Sequence, residues 1–166
     1  MRFTPRKSSP RLPSFDYVGA YAYHIILTTQ GRTKLFRDGR LVALCRELLA
    51  ASAVRYGFEV LSYCFMPDHL HMLVLGAEES SLVRFVQHFK QATGHRRRVP
   101  WQRSYYDHVI GDEESISDVQ RYIWSNPVSA GLVKDLADYP HSGPRHLMVE
   151  DRAEALSLRV PVANER

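Results

Sequence analysis

The spacing of hydrophobic residues changes several times along the chain, and each spacing predicts one element of secondary structure. Residues 21–29 are rich in β-branched and aromatic side chains and precede a glycine-containing turn, which predicts a strand. Apolar residues then recur at helical spacing within residues 36–57, which end in a glycine. Residues 58–65 and 69–75 are apolar stretches joined by a proline-containing turn. The first half of the chain therefore predicts a strand, a helix and a β-hairpin.

The second half predicts another helix, a fourth strand and a third helix. From Glu79 onward, apolar residues follow the 3.6-residue period of an amphipathic helix, and the aromatic stretch 104–110 is typical of a strand. Asp112 or Ser115 is a suitable N-cap for the third helix. We expect that helix to end at Asn126, because a residue that precedes proline disfavours the α conformation.

The order β-α-β-β-α-β followed by a helix predicts a ferredoxin-like α+β fold with a four-stranded antiparallel sheet. We expect the helices to cover one face of that sheet. The chain divides into a basic arm over residues 1–16, one domain over 17–138 and a C-terminal tail over 139–166. Because prolines interrupt the tail, we expect it to be mobile, with at most one short helix near residues 150–158.

The composition is that of an ordinary globular protein with a basic bias. Of 166 residues, 45% are hydrophobic and 24% are charged, and the formal net charge is +4. A basic bias favours partners that carry phosphate. Cys45 and Cys64 stand in separate apolar stretches, which predicts buried thiols and a reducing compartment. The sequence has no apolar run of membrane-spanning length and no signal peptide, so we expect a cytoplasmic, nucleoid-associated protein without membrane contact.

Two histidines stand one residue apart in the strand that follows the hairpin turn. His69 and His71 point to the same face, since side chains alternate along a strand. Such a pair suits chelation of a metal ion, but solvated histidines at a strand end and hydrogen-bonded histidines of a core show the same spacing. The neighbouring positions lack the further ligands of familiar zinc hydrolase and zinc deaminase sites.

The third predicted helix carries two polar side chains beside an apolar stripe. Tyr122 and Asn126 are four residues apart and share one helix face. They border the stripe formed by Ile116, Val119 and Ile123. Taken alone, a tyrosine in this place favours packing, and an asparagine before proline favours a helix-ending cap.

Three segments taken together resemble a known family. The motifs "MPDHLHMLV", "WQRSYYDH" and "RYIWSNPVSAGLV" resemble, in kind and in order, the IS200-like single-tyrosine transposases, especially those associated with repetitive extragenic palindromes. The resemblance extends over residues 17–133. This chain has Asp68 where most relatives have asparagine in the strand motif, and its "YPHSGPRH" segment departs from the family pattern.

The resemblance implies a metal-dependent enzyme that cuts and rejoins single-stranded DNA. By position, His69, His71 and Asn126 match the family's metal ligands, and Tyr122 on the additional C-terminal helix matches its nucleophile. The expected cofactor is Mg²⁺ or Mn²⁺, and two imidazole ligands favour Mn²⁺ by their softness. The expected products are a 5′-phosphotyrosine intermediate and a free 3′-OH. The sequence does not assign the general base, for which the candidates are Asp107, His108 and Asp118.

Basic and aromatic residues near the end of the second helix suit nucleic acid, since cations bind phosphates and aromatic rings stack on bases. A solvated basic helix end has the same composition. The resemblance implies single-stranded or hairpin DNA with a flanking guide sequence as the partner of a monomer or a homodimer. The expected DNA-binding residues are Arg6, Lys7, Arg11, Lys90, Arg96, Arg97, Arg98, Trp101, Arg103, Tyr105 and Tyr106.

Two other functions fit the same residues. A ferredoxin-like sheet with basic and aromatic side chains is also typical of non-catalytic nucleic-acid-binding modules. A metal-dependent nuclease that activates water would cut DNA without forming a bond between protein and DNA. Tyr105 and Tyr106 are rival nucleophiles, but the predicted strand favours stacking or packing for both.

Overall fold

A five-stranded antiparallel sheet forms the centre of the protein in a computed structural model, which describes residues 13–157 apart from the side chains at 96, 97, 152, 153 and 155–157. The strands are β1 (Ala22–Thr28), β2 (Phe58–Met66), β3 (His69–Gly76), β4 (Tyr106–Val109) and β5 (Ser142–Gly143). Their order across the sheet is β4-β1-β3-β2-β5. The first four strands have the antiparallel ferredoxin-like arrangement, so the predicted α+β fold is confirmed.

The sheet has two chemically different faces because side chains alternate along each strand. One face is apolar and forms a single cluster with the first two helices; its members include Ile25, Phe65, Leu70 and Met72. The other face is more polar, and its buried residues include His24, Ser62, Cys64, His71 and Leu73. Two histidines and a serine are therefore buried on the second face, where polar side chains need hydrogen-bond partners.

Helices α1 (Gly39–Tyr56) and α2 (Leu82–Arg97) cover the apolar face. Asp38 caps α1 by accepting hydrogen bonds from two backbone amides of its first turn, and Ser81 caps α2 by accepting one from the backbone amide of Arg84. Gly57 ends α1 with φ of 71°, a left-handed conformation that glycine adopts without steric cost. Helix α1 thus begins and ends close to the predicted positions, and α2 begins close to its predicted start.

The third helix, α3 (Ile116–Ser129), packs on the second face of the sheet, so the expectation that all helices cover one face is wrong. Ile123 packs there with Cys64 and Leu73. Periodicity identifies the apolar stripe of a helix but does not say which face of a sheet will receive it. As a consequence, Tyr122 lies on the side of the sheet that carries the histidines.

The prediction that α3 ends at Asn126 is also wrong, because the helix continues through Pro127 to Ser129. Proline lacks the backbone N–H that would bond to the carbonyl of Ile123 four residues earlier. The Asn126 side-chain amide instead donates to the carbonyls of Tyr122, at 2.9 Å, and Ile123, at 3.3 Å. This side-chain bond compensates for the missing backbone donor and lets the helix go on.

The segment from Tyr139 to the end of α4 (Arg145–Ser157) packs against the domain, so the expectation of a mobile tail is wrong for its described residues. The Tyr139 hydroxyl donates to the carbonyl of Phe65 at 2.7 Å. The indole N–H of Trp124 donates to the carbonyl of Gly143 at 2.9 Å. Because β5 pairs with β2 and these polar groups are buried, the segment completes the sheet rather than trailing from it.

Short helical turns connect several of these elements, at Gln30–Arg32, Leu35–Arg37 and Leu136–Asp138. Cys45 and Cys64 are both buried thiols, as predicted. Within residues 13–157, none of the helices has the length and apolar character needed to cross a bilayer.

Candidate active site

The two histidines of β3 converge on one point at the start of the strand. The Nε2 atoms of His69 and His71 are 3.1 Å apart, and their rings meet edge to face. His71 is buried, whereas the side chain of His69 is 21% exposed. The pair therefore has one member anchored in the protein and one at the surface, where a substrate could reach it.

A carboxylate fixes the outer histidine. The Nδ1 atom of His69 lies 2.6 Å from Oδ1 of Asp68, and Oδ2 of Asp68 lies 3.4 Å from the guanidinium of Arg32. Burial acts to raise the pKa of Asp68, but the hydrogen bond with His69 and the charge of Arg32 outweigh it, so the pKa is lowered. An ionised Asp68 accepts a proton-bearing Nδ1 and leaves Nε2 of His69 directed at the partner imidazole.

A third imidazole contacts the inner histidine, and sequence reasoning missed it. Nε2 of His24 on β1 lies 3.2 Å from Nδ1 of His71, and the two rings are stacked with centroids 5.5 Å apart. His24 is fully buried. A lone histidine in an apolar strand gives no signal by itself, because its partner is set by the register in which β1 pairs with β3.

Burial keeps the inner imidazoles neutral. It lowers the pKa of His24 to about 3, with the charge of His108 acting in the same direction. Burial, and then the neighbouring His24 and His69, also lower the pKa of His71 well below the ordinary value. At neutral pH these side chains carry no charge, which is the protonation state that metal coordination requires.

Tyr122 of α3 lies over the buried part of this cluster. Its ring centroid is 6.0 Å from that of His71 and 5.8 Å from that of His24, both in edge-to-face geometry. Burial raises the pKa of the Tyr122 phenol above its ordinary value, while a hydrogen bond with the Asn126 side chain acts in the opposite direction. The structure thus brings Tyr122 close to the buried histidines of other elements, and Asn126 lies one helical turn beyond Tyr122.

The donor atoms of this region fit a divalent metal ion. Two nitrogen ligands about 2.1 Å from one ion and about 90° apart are separated by about 3 Å, close to the 3.1 Å between the two Nε2 atoms. Among the described residues, histidine, cysteine and acidic side chains form no group of three or more around a common metal position. Any further ligand from the described residues would therefore be of another kind, and the amide of Asn126 is the predicted one.

Two of the expected DNA-binding residues have structural roles. The Lys90 ammonium donates to the carbonyls of Gln102 and Arg103, at 2.7 and 3.1 Å, and lies over the ring of Tyr105. The indole N–H of Trp101 donates to Thr93 at 2.8 Å. The Trp101 ring packs on the core rather than projecting as a stacking platform. Both residues hold the segment between α2 and β4 in place.

The remaining expected contacts differ in their exposure. Arg98 and Arg103 are exposed, while Tyr105 is half-buried against the core. Tyr106 lies on the histidine face, with its ring centroid 5.6 Å from that of His24 and its hydroxyl buried. Arg96 and Arg97 belong to α2 but their side chains are outside the described set, as are the whole residues Arg6, Lys7 and Arg11.

Comparison with known proteins places this chain in a family. Residues 17–126 match the family described as "Transposase IS200 like". This match spans well over half of the chain, which therefore belongs to the IS200-like transposases. Members of that family are enzymes that bind and recombine DNA, and the chain is accordingly a transposase.

Within the family, the chain is similar to REP-associated tyrosine transposases. It is 28% identical over 145 residues to a candidate REP-associated tyrosine transposase of Haemophilus influenzae, covering 77% of this chain and 81% of that protein. It is 26% identical over 122 residues to the ISDra2 transposase TnpA of Deinococcus radiodurans, covering 66% and 86%.

A solved structure supports the same fold. A REP-associated tyrosine transposase bound to a REP hairpin superposes with a TM-score of 0.69 at 20% identity, covering 89% of this chain and 88% of the other. At that identity the likeness shows the fold alone. It extends over a larger share of the chain than the match to residues 17–126, in keeping with the packed C-terminal segment.

Proposed function

We propose that this transposase is a metal-dependent enzyme that nicks and rejoins single-stranded DNA next to hairpins, with Tyr122 as its nucleophile. The observation that carries the proposal is the convergence of His69 and His71, with Nε2 atoms 3.1 Å apart, beneath the Tyr122 ring on α3. His69, His71 and Asn126 would hold Mg²⁺ or Mn²⁺. When bound there, such an ion withdraws charge from a phosphodiester and orients it for in-line attack.

The remaining chemistry belongs to Tyr122. Its phenolic oxygen forms a new bond to the scissile phosphorus, and the bond from phosphorus to the 3′ oxygen of the upstream nucleotide breaks. The phenolic proton leaves to solvent, and the departing oxygen takes up a proton to become a free 3′-OH. The downstream strand remains attached to Tyr122 through its 5′ phosphate. A second 3′-OH can then attack the phosphotyrosine and displace the tyrosine, which reseals DNA without an external energy source.

The local structure suits this role for Tyr122. A helix stiffened by packing on the sheet holds the phenol in one place, and the half-buried setting excludes much of the water that could compete as nucleophile. The Asn126 amide is tied to the helix by its nitrogen, which leaves its oxygen as the atom available to a ligand. The two residues occupy one helix face, as ligand and nucleophile acting on one phosphate must.

Hairpin DNA is the proposed substrate. The support is the relative whose structure was solved with a REP hairpin, together with the basic bias of this chain. The exposed Arg98 and Arg103 are suited to phosphate contacts near the end of α2, whereas Lys90 and Trp101 would contribute by holding that segment. The predicted contacts of the basic arm lie outside the described residues.

The decisive experiment uses a single-stranded hairpin labelled at its 3′ end, with its natural flanking sequence, incubated with Mn²⁺ or Mg²⁺. We expect a labelled band of protein size on a denaturing gel with the unaltered chain and none with Tyr122→Phe. Tyr106→Phe serves as the matched control, since that tyrosine also lies on the histidine face, and it should retain the band.

Each other result selects a different function. Cleavage that persists in Tyr122→Phe without any adduct would replace this proposal with a water-using nuclease. Binding of the hairpin with no cleavage in either metal would instead indicate a non-catalytic nucleic-acid-binding module. An adduct that disappears in Tyr106→Phe alone would assign the nucleophile to that residue.

A further inference from the structure

We infer that His24 is a positioning residue that sets the tautomer and ring orientation of His71. It lies on β1, outside the motif that contains the histidine pair, and it is fully buried. The inference rests on the proposed function, because it concerns how the proposed metal pair is prepared for its ion. It concerns a residue that the sequence motifs do not single out.

The hydrogen-bond pattern supplies the first argument. For both Nε2 atoms of the pair to face a metal ion with lone pairs, each imidazole must carry its proton on Nδ1. Asp68 accepts that proton from His69. The group facing Nδ1 of His71 is Nε2 of His24, at 3.2 Å, so His24 is the acceptor that makes the required tautomer of His71 favourable.

The packing supplies the second argument. The His24 ring is stacked on His71 with an interplanar angle of 15°, which restricts rotation of the His71 ring about its side-chain bonds. The same ring meets Tyr122 edge to face with centroids 5.8 Å apart. One buried side chain therefore touches both a proposed ligand and the proposed nucleophile, and holds them in a fixed relation.

The two histidines of the pair are thus supported in different ways. His69 is held from the surface side by a carboxylate, and His71 is held from the interior by a neutral imidazole. A carboxylate in place of His24 would put an uncompensated charge in the core, whereas an imidazole supplies an acceptor without one. A histidine suits position 24 because this buried site needs a hydrogen-bond acceptor for His71 that carries no charge.

The test compares three variants at this position. His24→Phe and His24→Leu remove the acceptor while filling the space with apolar atoms, and the second keeps the test valid if the larger ring does not fit. His24→Gln places an amide oxygen near the position of Nε2 and should accept the same proton. His88→Gln is the matched control, since His88 bonds to Ser52 on the other side of the sheet.

Two readouts are needed. Imidazole ¹⁵N chemical shifts in the presence of Mg²⁺ should show His71 protonated on Nδ1 in the unaltered chain and in His24→Gln, but not in the Phe and Leu variants. Calorimetric titration with Mn²⁺ should show about 10- to 100-fold weaker binding in the Phe and Leu variants, the usual cost of losing a partner of a metal-binding histidine. His24→Gln and His88→Gln should remain within about threefold of the unaltered chain.

The inference fails if folded His24→Phe or His24→Leu binds Mn²⁺ as tightly as the unaltered chain with the same His71 tautomer. That result would leave the proposed metal pair intact. His71→Ala distinguishes failure of the inference about His24 from failure of the proposed metal site. If the unaltered chain and His71→Ala bind Mn²⁺ equally weakly, the proposed metal site is wrong, and so is the inference about His24.

Discussion

The side-chain amide of Asn126 donates to the carbonyl of Ile123, which is the carbonyl that the missing N–H of Pro127 leaves without its usual partner. The sequence pair Asn-Pro therefore continues the helix here instead of ending it. Because the same amide belongs to the proposed ligand set, the end of α3 combines a structural task with a proposed chemical one in a single side chain.

Asn126→Ala should destabilise the fold by about 1 kcal/mol, since it removes the donor to the Tyr122 and Ile123 carbonyls. In a Pro127→Ala background, the restored backbone N–H can serve Ile123, so the same substitution should cost measurably less. Urea denaturation of the four chains in this double-mutant cycle checks the prediction. Equal costs in both backgrounds would show that the amide does not compensate for the proline.

His69→Ala and His71→Ala should both abolish tight Mn²⁺ binding but differ in their effect on stability. His71 is buried, so its truncation should lower the free energy of unfolding by about 1–3 kcal/mol. His69 is partly exposed, and its truncation should cost less than about 1 kcal/mol. Calorimetric titration and urea denaturation measure the two effects separately, and unchanged Mn²⁺ binding in either variant would contradict the proposed pair.

Asp68→Asn should retain Mn²⁺ binding better than Asp68→Ala. The asparagine oxygen can still accept from Nδ1 of His69, whereas alanine leaves the outer imidazole without its partner. We expect about 10- to 100-fold weaker binding with alanine and a smaller loss with asparagine. Equally weakened binding in the two variants would show that the charge of Asp68, and not its hydrogen bond, supports metal binding, and unchanged binding in both would show that neither does.

Tyr139→Phe should destabilise the fold by about 1 kcal/mol, because the hydroxyl loses a buried bond to the Phe65 carbonyl and leaves that carbonyl without this donor. Tyr21→Phe is the control, since Tyr21 is 41% exposed, and it should change stability by less than about 0.5 kcal/mol. The comparison by urea denaturation tests whether the C-terminal segment is part of the cooperative fold.

Acid should weaken the fold in part through His141. Burial, together with the charge of Arg46, lowers the pKa of His141 below its ordinary value. The unfolded chain therefore binds a proton more readily, and stability falls as pH drops below about 6.5. His141→Gln should remove a contribution of less than about 1 kcal/mol between pH 7.5 and 5, since the side chain is partly exposed. Parallel pH curves for the two chains would disprove it.

Local patterns were sufficient to predict the order of the first four strands and three helices and the alternation that puts His69 and His71 on one face. They failed where the outcome depends on groups brought together by folding. The path of α3 through Pro127 depends on the Asn126 side chain, and the sheet face that receives α3 depends on what the first two helices leave open. His24 was not predicted to belong to the site, because its partner His71 lies on another strand.

The same distinction applies to the expected DNA contacts. Lys90 and Trp101 are residue types typical of surfaces that bind nucleic acid. Their polar atoms nevertheless bond to Gln102, Arg103 and Thr93 within the protein. Composition identifies residues able to bind phosphates or bases, but it does not show which of them bond to other groups within the folded protein. For Asp68 the sequence did point to the right place, because this chain has aspartate where most relatives have asparagine. The structure shows that its carboxylate bonds to His69.

The pairing of β5 with β2 has a consequence for how the chain is made. The outer edge of β2 is closed by residues that follow it late in the chain, and the contact between Tyr139 and Phe65 joins positions 74 residues apart. During synthesis, that strand edge stays open until almost the whole described chain has emerged, and an open edge can pair with another chain. Residues 142–143 thus cover part of a strand edge at which two nascent chains could otherwise pair.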